Sequence, residues 1–114
     1  QVFGAAHSPF STIRSVLYGH TISAFIGVCC AKWIPWEVVA AGAAVGLSLG
    51  AMRALRCIHP PAGSSALLAV VGSEAIRSLG FSYVINPVLI NAAALCAFAA
   101  IFRAIRKLFE KAAD

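Results

Sequence analysis

The stretch Arg56-Cys57-Ile58-His59-Pro60-Pro61-Ala62-Gly63-Ser64-Ser65 is a polar, proline-broken segment in a chain that is otherwise close to hydrocarbon in character. Two adjacent prolines offer no backbone N–H and fix φ, so no helix can run through them. Proline does suit the first turn of a helix, where its missing donor is not needed. His59, which precedes a proline, is pushed toward an extended conformation. The apolar run Ala66-Leu67-Leu68-Ala69-Val70-Val71 that follows reads as a short helix starting at or inside a membrane. Non-helical backbone at that depth persists only where protein buries it or where it lines a wet cavity.

Composition supports the membrane setting. Of the 114 residues, 61% are hydrophobic and 11% charged, far from the balance of a soluble domain. Charges fall at the ends of four apolar runs, Ser15 to Ala31, Val38 to Met52, Cys57 to Ser73 and Ser78 to Phe102. A bilayer core about 30 Å thick takes roughly 20 helical residues. The last run spans easily, and the first two span when flanking side chains snorkel. The expected fold class is therefore an all-α integral membrane bundle, with a half-helix after the two prolines.

Helix one is expected from about Thr12 to Ala31 and helix two from about Trp36 to Leu55. Between them, Lys32-Trp33-Ile34-Pro35-Trp36-Glu37 combines interfacial tryptophans with a proline that ends one helix and starts the next. Ser73 to Gly80 reads as a loop. Helix three begins near Phe81, with a kink at Pro87, and runs past Phe102. Residues 103–114 read as an amphipathic surface tail, with Arg106 and Glu110 spaced to pair. Residues 1–14 carry a Ser8-Pro9 turn and enter helix one. The opening Gln1-Val2-Phe3-Gly4 resembles the end of another apolar segment, so 1–114 is expected to be one transmembrane domain without an N-terminal hydrophobic region.

Charge decides between two paths for the broken segment. If it crosses, Arg14, Arg53, Arg56, Arg103, Arg106, Lys107 and Lys111 share one side and only Lys32 and Arg77 lie opposite. A re-entrant hairpin would divide the basic residues almost evenly. The positive-inside rule favours the crossing. The net charge of +5 belongs to topology and lipid headgroups, so a nucleic-acid partner is not expected. Cys29, Cys30, Cys57 and Cys96 lack metal-site spacing and read as small apolar residues.

Small residues mark packing faces. Gly42, Gly46 and Gly50 recur every four residues on helix two, and Gly19, Ser23 and Gly27 do so on helix one. Such stripes let helices approach closely, within a subunit or between subunits. Asn86 and Asn91 flank Pro87 and read as interhelical glue. His20 lies inside helix one, where an ionisable group faces the bundle interior or water. It is a candidate proton carrier, a partner for a neighbouring helix, or a ligand for chlorophyll or haem if the chain belongs to a larger complex. Otherwise no cofactor or metal is expected.

The first free N–H groups after Pro61 come from Ala62, Gly63, Ser64 and Ser65, at the positive end of a helix dipole. With Arg56 and His59 nearby, these residues are the candidate small-anion site. No nucleophile triad, metal cluster or phosphate loop is readable, and an enzyme is not expected.

His59-Pro60-Pro61-Ala62-Gly63 followed by Ala66-Leu67-Leu68-Ala69-Val70-Val71-Gly72 resembles the signature of the HPP family of integral membrane proteins. The likeness extends to Ser8-Pro9, Arg14, Gly19-His20, Leu79-Gly80-Phe81 and Pro87-Val88-Leu89. It implies four spanning segments and, since plastid members are linked to nitrite movement, transport of a small anion. It places the chain in a chloroplast thylakoid or envelope membrane or a bacterial inner membrane, as a homo-oligomer or part of a larger assembly. The rival expectation is an accessory structural subunit of a photosynthetic or respiratory complex.

Overall fold

The computed structural model describes residues 13–113. The Ser8-Pro9 turn, the helix start at Thr12 and the last residue, Asp114, lie outside them. Five helices follow one another: α1 (Ile13–Trp33), α2 (Glu37–Ala54), α3 (Gly63–Val71), the single turn α4 (Glu74–Arg77) and α5 (Ile90–Ala113). A 3-10 turn over Pro60–Ala62 leads into α3, and a wide turn over Val84–Leu89 leads into α5. There is no strand among the described residues. Ile13–Trp33, Glu37–Ala54 and Val84–Ala113 are each long and apolar enough to cross a membrane, and Pro60–Val71 is a shorter apolar helix.

α1 is the central post, packing on α2, α3 and α5. Its small stripe faces inward, as the spacing predicts. A Cβ on Gly27 would meet the backbone of Ala66 in α3, at 2.6 Å from its oxygen and 2.7 Å from its Cα. One on Gly19 would lie 3.1 Å from the Cβ of His59 and 3.2 Å from Met52 Sδ. Ser23 is fully buried, with its hydroxyl 3.8 Å from Met52 Sδ. Closeness of backbones stands in for bulk here. The clusters between α1, α2 and α3 are built mainly from Ala24, Val28, Cys30, Ala40, Ala44, Ala66, Ala69 and Val70. Such contacts gain dispersion energy that lipid tails would not otherwise give up.

The stripe on α2 does the opposite. Gly42, Gly46 and Gly50 are exposed, and a Cβ at any of them would meet nothing within 4 Å. α2 instead buries Ala40, Ala44, Ser48 and Met52, a parallel row also spaced by four. Both rows obey the same periodicity, so spacing alone does not choose between them. Gly46→Ala should therefore leave the bundle intact or raise its melting temperature in detergent, by the ~0.5–1 kcal/mol that separates glycine from alanine inside a helix.

α2 ends in a Schellman motif. Arg56 sits in the left-handed region at φ 55°, Cys57 N–H donates to Met52 O at 2.9 Å, and Arg56 N–H donates to Arg53 O at 3.2 Å. The Arg14 guanidinium closes the same end on Leu55 O at 3.3 Å. The chain then turns inward. Cys57 and His59 are buried, and α3 runs back alongside α1 from the level of Gly19 to that of Cys30. Arg77 arrives beside Lys32, at the end of the bundle opposite Arg14 and Leu55. The broken segment thus runs from one end of the bundle to the other, the path that the charge distribution favours.

Two stretches differ from the sequence reading. Ser73 to Gly80 contains a helical turn, capped where the Ser73 hydroxyl accepts from Ile76 N–H. The helix expected from Phe81 has its kink at Pro87, as expected, but it is regular only from Ile90, with Asn86 extended (φ −131°, ψ 115°) ahead of the proline. The steric rule that sets His59 before Pro60 acts here as well. Beyond Phe102, α5 continues unbroken through Arg103 to Ala113, and the Arg106–Glu110 pair forms at 3.3 Å.

Candidate functional site

Three polar side chains of the bundle interior converge from three elements. α1 supplies His20, the extended residue before the prolines supplies His59, and the first turn of α3 supplies Ser65. The His20 Nδ1 and Ser65 Oγ are hydrogen-bonded at 2.8 Å. The rings of His20 and His59 lie 5.3 Å apart at 60°. His59 is only 2% exposed, beneath Gly19, so the absence of a side chain there makes room for the imidazole. Tyr83, equally buried, donates its hydroxyl to the Ser65 carbonyl at 2.8 Å. Ser65 is thus fixed from both sides, its hydroxyl to α1 and its carbonyl to the turn before α5.

This cluster borders a cavity of about 200 Å³ between α1, α3 and α5. His20, Ser65 and Tyr83 contribute its polar wall, Leu68, Val88, Ala92 and Leu95 its apolar one, and Pro87 and Asn91 complete it. The space is several times that of a water molecule. A small solute inside would meet an imidazole, a hydroxyl and a phenol against hydrocarbon.

The tip of α3 is built differently from the expected open nest of donors. Ala62 N–H donates to His59 O at 2.8 Å, and the N–H groups at the Gly63 cap turn onto the carbonyls of Pro60 and Pro61. The Ser64 hydroxyl donates to Pro61 O at 2.6 Å. A 3-10 turn closes on itself in this way, taking up the donors that an abrupt α-helical start would leave open. Arg56 is exposed and serves as the left-handed cap of α2. Of the expected anion-site residues, His59 and Ser65 join His20 in the cluster. Ala62, Gly63, Ser64 and Arg56 do not. The polar site lies on the flank of α3 instead of its tip.

Tyr83 is the member that sequence reading misses. Its signal is faint, a phenol in an apolar run three residues after Gly80, and its partner lies 18 positions away. Asn91 is at the cavity wall, while Asn86 is exposed at the break. The four cysteines are unpaired, and Cys30, Cys57 and Cys96 are buried as small apolar residues. Among the described residues no cluster of three or more metal-ligating side chains occurs.

Apolar helices of spanning length, outward-facing leucines and valines on α2, and interfacial tryptophans at its start define an integral membrane protein of the helical-bundle class. The family model for the HPP transmembrane region matches residues 2–109, and the chain belongs to that family. Two transmembrane proteins of Dictyostelium discoideum are similar to it. One is 36% identical over 91 residues, covering 76% of this chain and 29% of the relative. The other is 34% identical over 95 residues, covering 80% and 33%. The chain therefore spans about a third of the length of these relatives. No solved structure matches it.

Proposed function

We propose that this domain passes a small inorganic anion across the membrane, nitrite by family resemblance, and that the inner cavity beside His20, Ser65 and Tyr83 is where the anion loses its water. One observation carries the reading. Three polar side chains from distant parts of the chain meet at a half-open cavity between α1, α3 and α5, in a bundle whose buried residues are mainly alanine, valine and cysteine. Polar groups at that depth are costly unless they serve a path or partner one another.

The chemistry required is modest. The anion exchanges water for the imidazole N–H, the serine hydroxyl and the phenol, while the apolar wall keeps the remaining volume dry. The imidazoles of His20 and His59, 5.3 Å apart, are the groups that could carry a proton along with the anion. No covalent step and no cofactor is needed, and the domain is not an enzyme in this reading. By the positive-inside rule, α5 and its basic end face the cytoplasm, stroma or matrix, in a bacterial inner membrane or a chloroplast membrane. Purified protein in liposomes should carry nitrite faster than protein-free vesicles. Identical leak in both would end the transport reading.

A second reading has its own observation. The outward stripe Gly42, Gly46, Gly50 and the exposed Phe98, Phe102 and Phe109 of α5 suit contacts with other helices. In that reading the domain is an accessory structural subunit of a larger complex. Gentle detergent extraction separates the two: a self-associated, colourless species supports transport, and stable co-purification with a pigmented or redox assembly supports the subunit.

A further inference from the structure

The end of the bundle opposite the basic tail carries only two of the basic residues, and both stand at cavities. Lys32, at the close of α1, and Arg77, at the close of α4, border a recess of about 550 Å³ together with Trp33, Pro35 and Glu37. The same two cations border a second, smaller cavity of about 180 Å³. Among the described residues the one ion pair is Arg106–Glu110, so neither Lys32 nor Arg77 is neutralised by a carboxylate within 4.0 Å. Glu37 shares the outer recess without pairing.

Lys32 is held in place by its surroundings. Its ammonium lies 5.3 Å from the centre of the Phe81 ring. It also lies 3.6 Å from where a Cβ of Gly80 would stand, and Gly80 has φ +58°. A side chain at that turn would be strained, and its Cβ would make an ordinary contact with the ammonium.

Tyr83 forms part of the wall of this second cavity and also of the cavity that holds His20 and Ser65. Recess, second cavity, phenol and inner cavity therefore lie one after another along the flank of α3. Two cations to one carboxylate, with no direct ion pair, line the recess at one end of this row and favour an anion there.

We propose that Lys32 and Arg77 form an outer oxyanion site, placed in series with the inner cavity and partitioned from it by Tyr83. Its place on a route rests on the transport reading above, whereas oxyanion binding rests on the two cations alone. The ligand is a singly charged oxyanion group, supplied either by a free ion such as nitrite or nitrate or by the phosphodiester of a bilayer lipid. Arginine and lysine at the headgroup level suit both sources.

Trp33 lines the outer recess and supplies the probe, once Trp36→Phe has removed the second indole. In maltoside detergent, which carries no phosphate, nitrate should quench Trp33 several-fold more strongly than in Lys32→Gln/Arg77→Gln on the same background. Neutral acrylamide should quench both alike, and Lys32→Arg should retain the nitrate effect. Equal nitrate quenching in the two proteins overturns the site. In phosphatidylglycerol nanodiscs, loss of the charge-dependent quenching assigns the site to lipid phosphodiester and its persistence assigns it to the free ion; both uphold an oxyanion site. Quenching requires no transport. Silent liposomes with a charge-sensitive Trp33 would overturn the transport reading alone, and nitrite flux with a charge-insensitive Trp33 would overturn the outer site alone.

Discussion

Gly27→Val should prevent α1 and α3 from closing and leave little folded protein after extraction, with Gly27→Ala showing a milder form of the same defect. The obstacle is backbone, not side chain. A Cβ at this position falls within 3.0 Å of three main-chain atoms of Ala66, and no rotamer change relieves that. Even one added methyl forces the helices apart, at a cost of about 1–3 kcal/mol for overpacking. Separation also strips contact from Ala66, Ala69 and Val70, which seat α3 against its neighbours. Thermal unfolding in detergent would measure the alanine variant against wild type. A Gly27→Ala protein as stable as its Gly46→Ala counterpart would show that the interhelical contact is looser than these distances imply.

Ser65→Ala and His20→Ala should each lower nitrite flux in liposomes about tenfold or more, the equivalent of about 1.4 kcal/mol on one step. Removing the serine hydroxyl leaves the His20 Nδ1 without its 2.8 Å partner and takes a polar group from the cavity wall. A buried polar atom deprived of its partner costs about 1–3 kcal/mol, so the folded yield of Ser65→Ala must be measured beside its flux. Ser65→Thr retains the hydroxyl and should recover part of the activity. Ser64→Ala is the matched control on the adjacent residue, since that hydroxyl is spent on Pro61 O. Loss of flux in Ser64→Ala with none in Ser65→Ala would return the site to the tip of α3 and refute the inner-cavity assignment.

Much of the architecture was legible because its causes are local. Uncharged runs set α1 and α2 to within a residue or two of their observed ends. Pro60 and Pro61 announce a helix start, and the lopsided distribution of arginine and lysine favours a path from one end of the bundle to the other. The turn at Glu74 was legible too, from Ser73 as a cap followed by an acidic residue in the first turn. So is the kink at Pro87, which the proline itself announces. What spacing could not settle was which of two equivalent rows on α2 turns inward. That choice depends on where α1 and α3 lie. The site was half legible for the same reason. A histidine in hydrocarbon and a serine after the prolines each drew notice, but their hydrogen bond joins positions 45 apart. The 3-10 closure of Pro60–Ala62 is not legible, because two prolines predict a helix start without saying how tightly it winds.

The shortness of the proline-started helix bears on the lipid around it. Pro60–Val71 contributes only about 18 Å of helical rise, against a hydrocarbon slab near 30 Å. The irregular stretch before it is sheltered by α1 and α2, yet Leu67, Leu68 and Val71 still look outward. Acyl chains along that side must dip toward the mid-plane to meet them. A thin membrane satisfies this dip at less elastic cost than a thick one. The domain should accordingly partition into, and perform better in, bilayers of short-chain lipid.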